Sequence, residues 1–286
     1  MRERVARSRE LVARGRKPAV VARVMQVTRQ AIYRTPKPRT LPQRRPPQGD
    51  VEHAIVAVAK ENPTDGYRMV WALVRRKLGI AVNRKRVLRV MREHKLIQRR
   101  RPSGRRRRPG FFRVERPNQL WHLDLTAVWV AEHGWCYLMA AIDCCTREIV
   151  GWQLELRCRA VEAITLIERA VAVWGIEPQM LTLGTDNGSA FTARRFKQVL
   201  SGLGVAHRRG GYRDPESQAF IESWFGKLKE REVWREEYET LEDARRGIGR
   251  YVNRYHDRPH SSLDYRTPRE VRQTWDDAQE LQKQAA

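Results

Sequence analysis

Apolar residues recur along this chain with two different periods, and the switch between them marks its architecture. Over residues 1 to 98 the spacing is helical. Arg4 to Arg14 and Pro18 to Gln26 read as short helices, and Thr28 caps a third, Arg29 to Arg34. Tyr67 to Leu78 places Val70, Leu73, Val74 and Leu78 on one apolar face. A Gly79-Ile-Ala-Val turn then leads to Asn83, a good N-cap, and to a very basic helix from Arg84 to Lys95 with Val87, Leu88 and Met91 inside. The pattern predicts two helix-turn-helix units, at 1–35 and 51–98.

Beyond residue 118 the pattern alternates. Runs at 119–130, 135–144 and 147–156 predict an antiparallel meander of strands. The segment from Ala160 to Trp174 returns to a period of 3.6 and reads as a crossover helix. The apolar stretch Met180 to Leu183 predicts a further strand, and Ile221, Phe225 and Leu228 at i, i+4 and i+7 predict another helix. Strands followed by a crossover helix indicate an α/β core. The Pro-rich segment 36–50 and the segment 99–114, with its Arg105 to Arg108 run, read as linkers, and 273–286 as a tail.

Charge divides the chain at nearly the same place. Residues 1 to 118 hold 34 Lys and Arg against 8 Asp and Glu, whereas the remainder holds 23 against 25, within an overall net charge of +24. An arm this basic is an electrostatic footprint for a polyanion and points to nucleic acid, and with the helix-turn-helix units the expected partner is double-stranded DNA. Arg29, Gln30 and Arg34 in the first unit, and Arg84, Lys85, Arg86, Arg89 and Arg92 in the second, are the candidate DNA contacts. Phosphate contacts outnumber base contacts, so no bases are assigned to them. Cys136, Cys144, Cys145 and Cys158 have neither C-x-x-C spacing nor a matching His pair. They read as reduced thiols of a cytoplasmic protein, not as a zinc site. No apolar stretch approaches a membrane span, and the arginine-rich start carries no export signal.

Three acids stand out from the other carboxylates by their surroundings. Asp124 lies in the apolar run Leu120 to Val130, where an inward acid is costly unless it binds something. Asp186 ends a strand and enters an Asn187-Gly188 turn. Glu222 sits at the head of a helix, off the face of Ile221 and Phe225, and 35 residues separate it from Asp186. Lys229, seven residues on, returns after two helical turns to the same side as Glu222. Two short Asp side chains on neighbouring strands and a longer Glu from a helix suit hard divalent cations with oxygen ligands. Two such ions can stabilise the entering and leaving oxygens of a phosphodiester. Asp143, before Thr146-Arg147, reads as a turn residue. His122 reads as a structural histidine that shares a strand face with Asp124.

These acids and their spacing resemble the DDE integrase core of retroviral integrases and bacterial insertion-sequence transposases. The chain as a whole is similar to the OrfB-type transposases. Asp65-Gly-Tyr-Arg, Asn83-Arg-Lys-Arg-Val, Ala141-Ile-Asp-Cys-Cys-Thr-Arg-Glu, Thr185-Asp-Asn-Gly-Ser and the closing Tyr255-His-Asp-Arg-Pro-His-Ser-Ser-Leu-Asp-Tyr-Arg-Thr-Pro-Arg-Glu carry the likeness. Asp65 stands where Tyr is usual, and Asp264 where Gly is usual. The resemblance implies an RNase H-like α/β core, at about residues 115–272, behind an all-α helix-turn-helix region. It implies Asp124, Asp186 and Glu222 as catalytic metal ligands for two Mg²⁺ ions, with Mn²⁺ as a substitute, and Lys229 on the phosphate of the DNA end. It further implies binding of the element's terminal inverted repeats, strand cleavage and transfer into target DNA, a homo-oligomer on paired ends, and an upstream-frame fusion partner. Two other readings stay open: a non-catalytic DNA-binding regulator and a metal-dependent nuclease without strand transfer.

Overall fold

The computed structural model describes residues 1–34, 49–97, 114–210 and 219–285, so both predicted linkers lie wholly or largely outside the described residues. The chain forms two compact units, residues 1–48 and 49–286.

The first unit holds α1 (Arg2–Ala13), α2 (Pro18–Val24) and α3 (Arg29–Tyr33). Pro18 opens α2, where a missing N–H costs nothing. Thr28 caps α3, its Oγ1 accepting from the Ala31 N–H at 3.2 Å. Val21, Ala22 and Ile32 form the small buried centre.

The second unit opens with a helix that the sequence reading missed, α4 (Gly49–Glu61). Its signal is present in hindsight, in the acids Asp50 and Glu52 of the first turn and the buried Ile55, Val58 and Ala59. Then come α5 (Tyr67–Leu78) and α6 (Arg84–Glu93). Asn83 caps α6 as expected, accepting from the Lys85 N–H at 2.8 Å. Val70, Leu73, Val74, Val87 and Met91 are buried against α4, but two assignments need correcting. Leu78 is 48% exposed, and Val90, not Leu88, completes the buried face of α6.

The core contains β1 (Leu120–Val130), β2 (Gly134–Asp143), β3 (Ile149–Glu155), α7 (Ala160–Val173), β4 (Thr182–Thr185), α8 (Ser189–Thr192), α9 (Arg194–Gly202), β5 (Ala206–Arg209), α10 (Ala219–Leu228), α11 (Leu241–His256) and α12 (Pro268–Ala285). The sheet order is β3-β2-β1-β4-β5. β1 to β3 pair antiparallel, while β4 is parallel to β1 and β5 parallel to β4. This is the RNase H-like α/β arrangement.

Helices cover both faces of the sheet. Trp121, Leu123, Met139 and Ala141 face α7, α8 and α9, whereas Val128, Val130, Leu138 and Ala140 face α10 and α11. β1 is therefore buried on both sides over its first four residues, not alternately exposed as its pattern suggested. Ile221, Trp224 and Leu228 anchor α10 with at most 1% exposure, each contributing about 1.5–3 kcal/mol. After Leu228 the helix widens into a π-helical turn, Lys229–Val233. α12 runs straight through position 272, so the expected boundary between core and tail falls inside a helix. Among the described residues no helix is long and apolar enough to cross a membrane.

Candidate active site

The parallel register of β1 and β4 sets the position of both aspartates. Leu120 pairs with Thr182 and Leu123 with Thr185, the last pair of the ladder. Asp124, within β1, and Asp186, just past the end of β4, are the next residues, so the two aspartates neighbour each other where the parallel ladder ends. Period-two alternation puts Asp124 on the same sheet face as Val128 and Val130, which is the face that α10 covers. Glu222 projects from the first turn of α10 and is exposed. The sheet thus brings two acids to the helix that carries the third.

Local bonds hold the Asp186 turn. Asp186 Oδ1 accepts from the Gly188 N–H at 2.8 Å, and Asn187 Nδ2 donates to the Gly210 carbonyl at 3.1 Å. A Cβ on Gly188 would come within 2.9 Å of Asp186 Oδ1, so glycine is required for this turn to close on the carboxylate.

The electrostatics of Asp124 record the convergence. Its carboxyl is pushed up to about 6, first by burial and further by the negative charges of Asp186 and Glu222. The Leu125 N–H, donating to Oδ1 at 2.7 Å, and the positive charge of Lys229 act in the opposite sense. All four residues singled out from the sequence therefore meet in one field. The donor set is all oxygen and carries three like charges, which fits hard divalent cations. Among the described residues, however, no three His, Cys, Asp or Glu side chains stand close enough to hold a metal ion. The acids are neighbours, not a closed cage.

Lys229 is half-buried at the start of the π-helical turn. Glu232, one acid it could have paired with, is buried and taken by Arg254 at 2.6 Å. Lys227 is not an ordinary surface lysine. It lines a small hollow with Phe220, Trp224, Tyr255 and His260, and burial and Arg231 lower its pKa.

Asp143 is set apart by structure. Fully buried, it accepts from the N–H groups of Asn118, Cys145 and Thr146 at 2.6, 2.7 and 2.8 Å, with Arg272 at 3.7 Å. Two of these N–H groups belong to the turn that follows β2, so Asp143 is a turn residue as expected. His122 packs under Gly184, where a Cβ would come within 2.6 Å of its ring, and stacks on Phe220. Burial, with Arg208 and Arg147 nearby, lowers it to about 4, so it stays neutral at physiological pH. The four cysteines are free thiols, two of them buried.

The candidate DNA contacts divide by environment. Arg29, Gln30 and Arg34 are exposed on and just after α3. On α6, Lys85 and Arg92 are exposed, but Arg89 and Arg86 lie 2.9 and 3.7 Å from Glu52 of α4. The Arg84 guanidinium lies over the Trp71 ring at 4.1 Å, with Tyr265 at 5.4 Å. The sequence reading passed over Arg208 and Arg209, exposed on β5 beside the strand of Asp186, with Thr185 in register with Arg209. A two-residue basic pair carries no signal of its own until the sheet order places it beside the acids.

Two integrase core domain models match residues 114–215 and 203–268, and an HTH-like domain model matches residues 48–106. Transposase InsD for insertion element IS2-9 of Escherichia coli (strain K12) is 30% identical over 287 residues, covering 94% of this chain and 93% of that protein. The chain belongs to the OrfB-type insertion-sequence transposases. Transposase InsD for insertion element IS2A/D/F/H/I/K of Escherichia coli is likewise 30% identical, over 92% of this chain and 93% of its own length. The catalytic core domain of BIV integrase aligns with 58% of this transposase and 99% of its own chain, at 20% identity and a TM-score of 0.42. As a member of this family the protein is a DDE-class polynucleotidyl transferase.

Proposed function

We propose that this transposase binds the terminal inverted repeats of its element, cuts a strand at the element's 3′ end and joins the freed hydroxyl to target DNA. Asp124, Asp186 and Glu222 are the catalytic acids of this reading. The observation that carries it is the register of β1 and β4, which brings Asp124, on the face that α10 covers, beside Asp186 and toward the helix that carries Glu222. Burial first, and then the charges of Asp186 and Glu222, raise the Asp124 carboxyl, as expected of an acid kept there for a cation. Two Mg²⁺ ions held by these acids would supply Lewis-acid stabilisation of the entering and leaving oxygens.

The remaining roles belong to the chain's own residues. Lys229 places an ammonium beside the acids and holds a phosphate of the DNA end as a point charge. Arg29, Gln30 and Arg34 of the first unit and Lys85 and Arg92 of α6 contact the duplex outside the core. Arg84, Arg86 and Arg89 reach DNA only by giving up their present partners, so they rank below Lys85 and Arg92. The active species is a homo-oligomer assembled on two paired ends. An assay with labelled paired ends, Mg²⁺ and a target plasmid tests the reading: end-to-target joined products are expected. Nicked ends without joined products would reduce the activity to a nuclease, and binding without nicking would leave a DNA-binding regulator.

A further inference from the structure

Each of the three acids follows, by two positions, a residue that takes part in one shared contact. His122 precedes Asp124, Gly184 precedes Asp186 and Phe220 precedes Glu222. His122 and Gly184 are register partners on β1 and β4. The His122 ring also stacks on Phe220 of α10, with centroids 6.3 Å apart and planes inclined by 22°. One imidazole, 3% exposed, therefore touches all three elements that carry the acids.

The fit of this ring depends on a missing side chain. A Cβ on Gly184 would come 2.6 Å from His122 Cδ2 and 3.1 Å from Nε2, well inside the roughly 3.5–4.0 Å at which such atoms pack. The same Cβ would meet the Trp121 carbonyl at 3.6 Å, an ordinary contact. Gly184 lies within a strand and is not in the left-handed region, so no turn asks for glycine here. Position 184 is bare because the ring of its register partner lies across it.

Phe220 is held from the core as well. The Arg147 guanidinium lies 3.3 Å from the centroid of its ring. Arg147 is itself fixed, its Nη1 donating to the Cys144 carbonyl and its own carbonyl accepting from the Tyr255 hydroxyl at 2.8 Å. Phe220 and Glu222 stand about 200° apart around α10, so they flank its buried face on opposite sides. A helix gripped along one flank does not roll, and the carboxylate on the other flank keeps its direction.

We propose that His122 is a positioning residue for the acid site. Its ring, seated on Gly184 and against Phe220, sets the spacing of Asp124 and Asp186 and the roll of α10 that aims Glu222. The role is one of shape and touches neither metal nor DNA. It rests on the reading that the three acids hold the divalent cations.

Mn²⁺ binding to the full chain without DNA, followed by the electron paramagnetic resonance of the free ion, tests the role. His122→Ala is expected to weaken binding by roughly ten- to hundredfold, the range for groups that orient metal ligands, and Phe220→Leu by about threefold or more. His122→Asn, flat but shorter, gives the same comparison where the alanine variant does not fold. Val128→Ala loosens the same face of β1 six residues further on and should bind Mn²⁺ as the wild type does. Gly184→Ala alone should weaken binding as much as His122→Ala, because the added methyl drives the ring out. In the His122→Ala background it should have no further effect, since the space is then empty, whereas independent positions would multiply their losses. These variants should raise the half-saturating Mg²⁺ for end cleavage more than they lower the rate at saturation.

Mn²⁺ affinities of His122→Ala and Phe220→Leu equal to that of Val128→Ala overturn the proposal. So does a Gly184→Ala loss that persists undiminished when His122 is gone. If Asp124→Asn, Asp186→Asn and Glu222→Gln all bind Mn²⁺ like the wild type, the acids are not the ligands and the catalytic reading falls together with this one. Loss of binding in those three alone, with His122→Ala unaffected, sinks only the role of His122.

Discussion

Asp65 of the α4–α5 connection accepts from Arg231 Nη2 at 2.7 Å while only 2% exposed, although 166 positions separate the two residues. This ion pair, with Arg258 as its second donor, fastens the second helix-turn-helix unit to the π-helical turn that begins at Lys229. Asp65→Asn is expected to destabilise the full chain by about 3–5 kcal/mol, because two half-buried guanidinium groups lose their anion. Urea unfolding measures it, and a change under 1 kcal/mol would show that the pair contributes little.

The acid trio gives the second prediction. Asp124→Asn, Asp186→Asn and Glu222→Gln should each abolish end cleavage and joining in Mg²⁺ while leaving end binding within a few-fold of wild type. Full cleavage in any of the three removes that residue from the catalytic set. Asp143→Asn behaves differently. With three N–H groups on its carboxylate, it should cost about 1–3 kcal/mol of stability and leave the chemistry intact wherever the protein is folded.

Asp124 also makes the metal-free protein's stability depend on pH. Its folded value, about 6, lies above the ordinary 3.8, so its favourable contribution is complete below pH 3.8 and is lost as pH rises through 6. In chelator, Asp124→Asn should match wild-type stability near pH 3.5 and exceed it by on the order of 2–3 kcal/mol at pH 7. Adding Mg²⁺ at pH 7 should stabilise the wild type and close the gap. A gap that is the same at both pH values would mean that Asp124 bears no such charge penalty.

Lys229 gives the last prediction. Lys229→Ala should reduce cleavage and strand transfer at least tenfold, with a thermal midpoint close to wild type, since Glu232, a neighbouring acid, is held by Arg254 instead. Lys227 is unsuitable as the control because its side chain packs beside Trp224 and Tyr255. Lys283, exposed on α12, serves instead. Equal activity in Lys229→Ala and Lys283→Ala would return Lys229 to an ordinary surface role.

Hydrophobic period alone determined most of the elements of this transposase. The helices of the first unit, α5, α6, the β1–β2–β3 meander and α7 are local: each is written by residues two to four positions apart, and by caps such as Thr28 and Asn83. The three acids were legible because each stands in an apolar or turn context that a surface carboxylate does not need. Tertiary structure decided what depends on partners distant in the chain. Asp143 and Asp124 both follow apolar strand residues, and only the fold gives one to backbone N–H groups and the other to a charged cluster. Asp65 and Glu52 took their roles from arginines far away in the chain, Arg231 and Arg258 for the first and Arg86 and Arg89 for the second. A contact that spans more than a hundred residues leaves no periodic trace, because nothing near either partner in sequence depends on it.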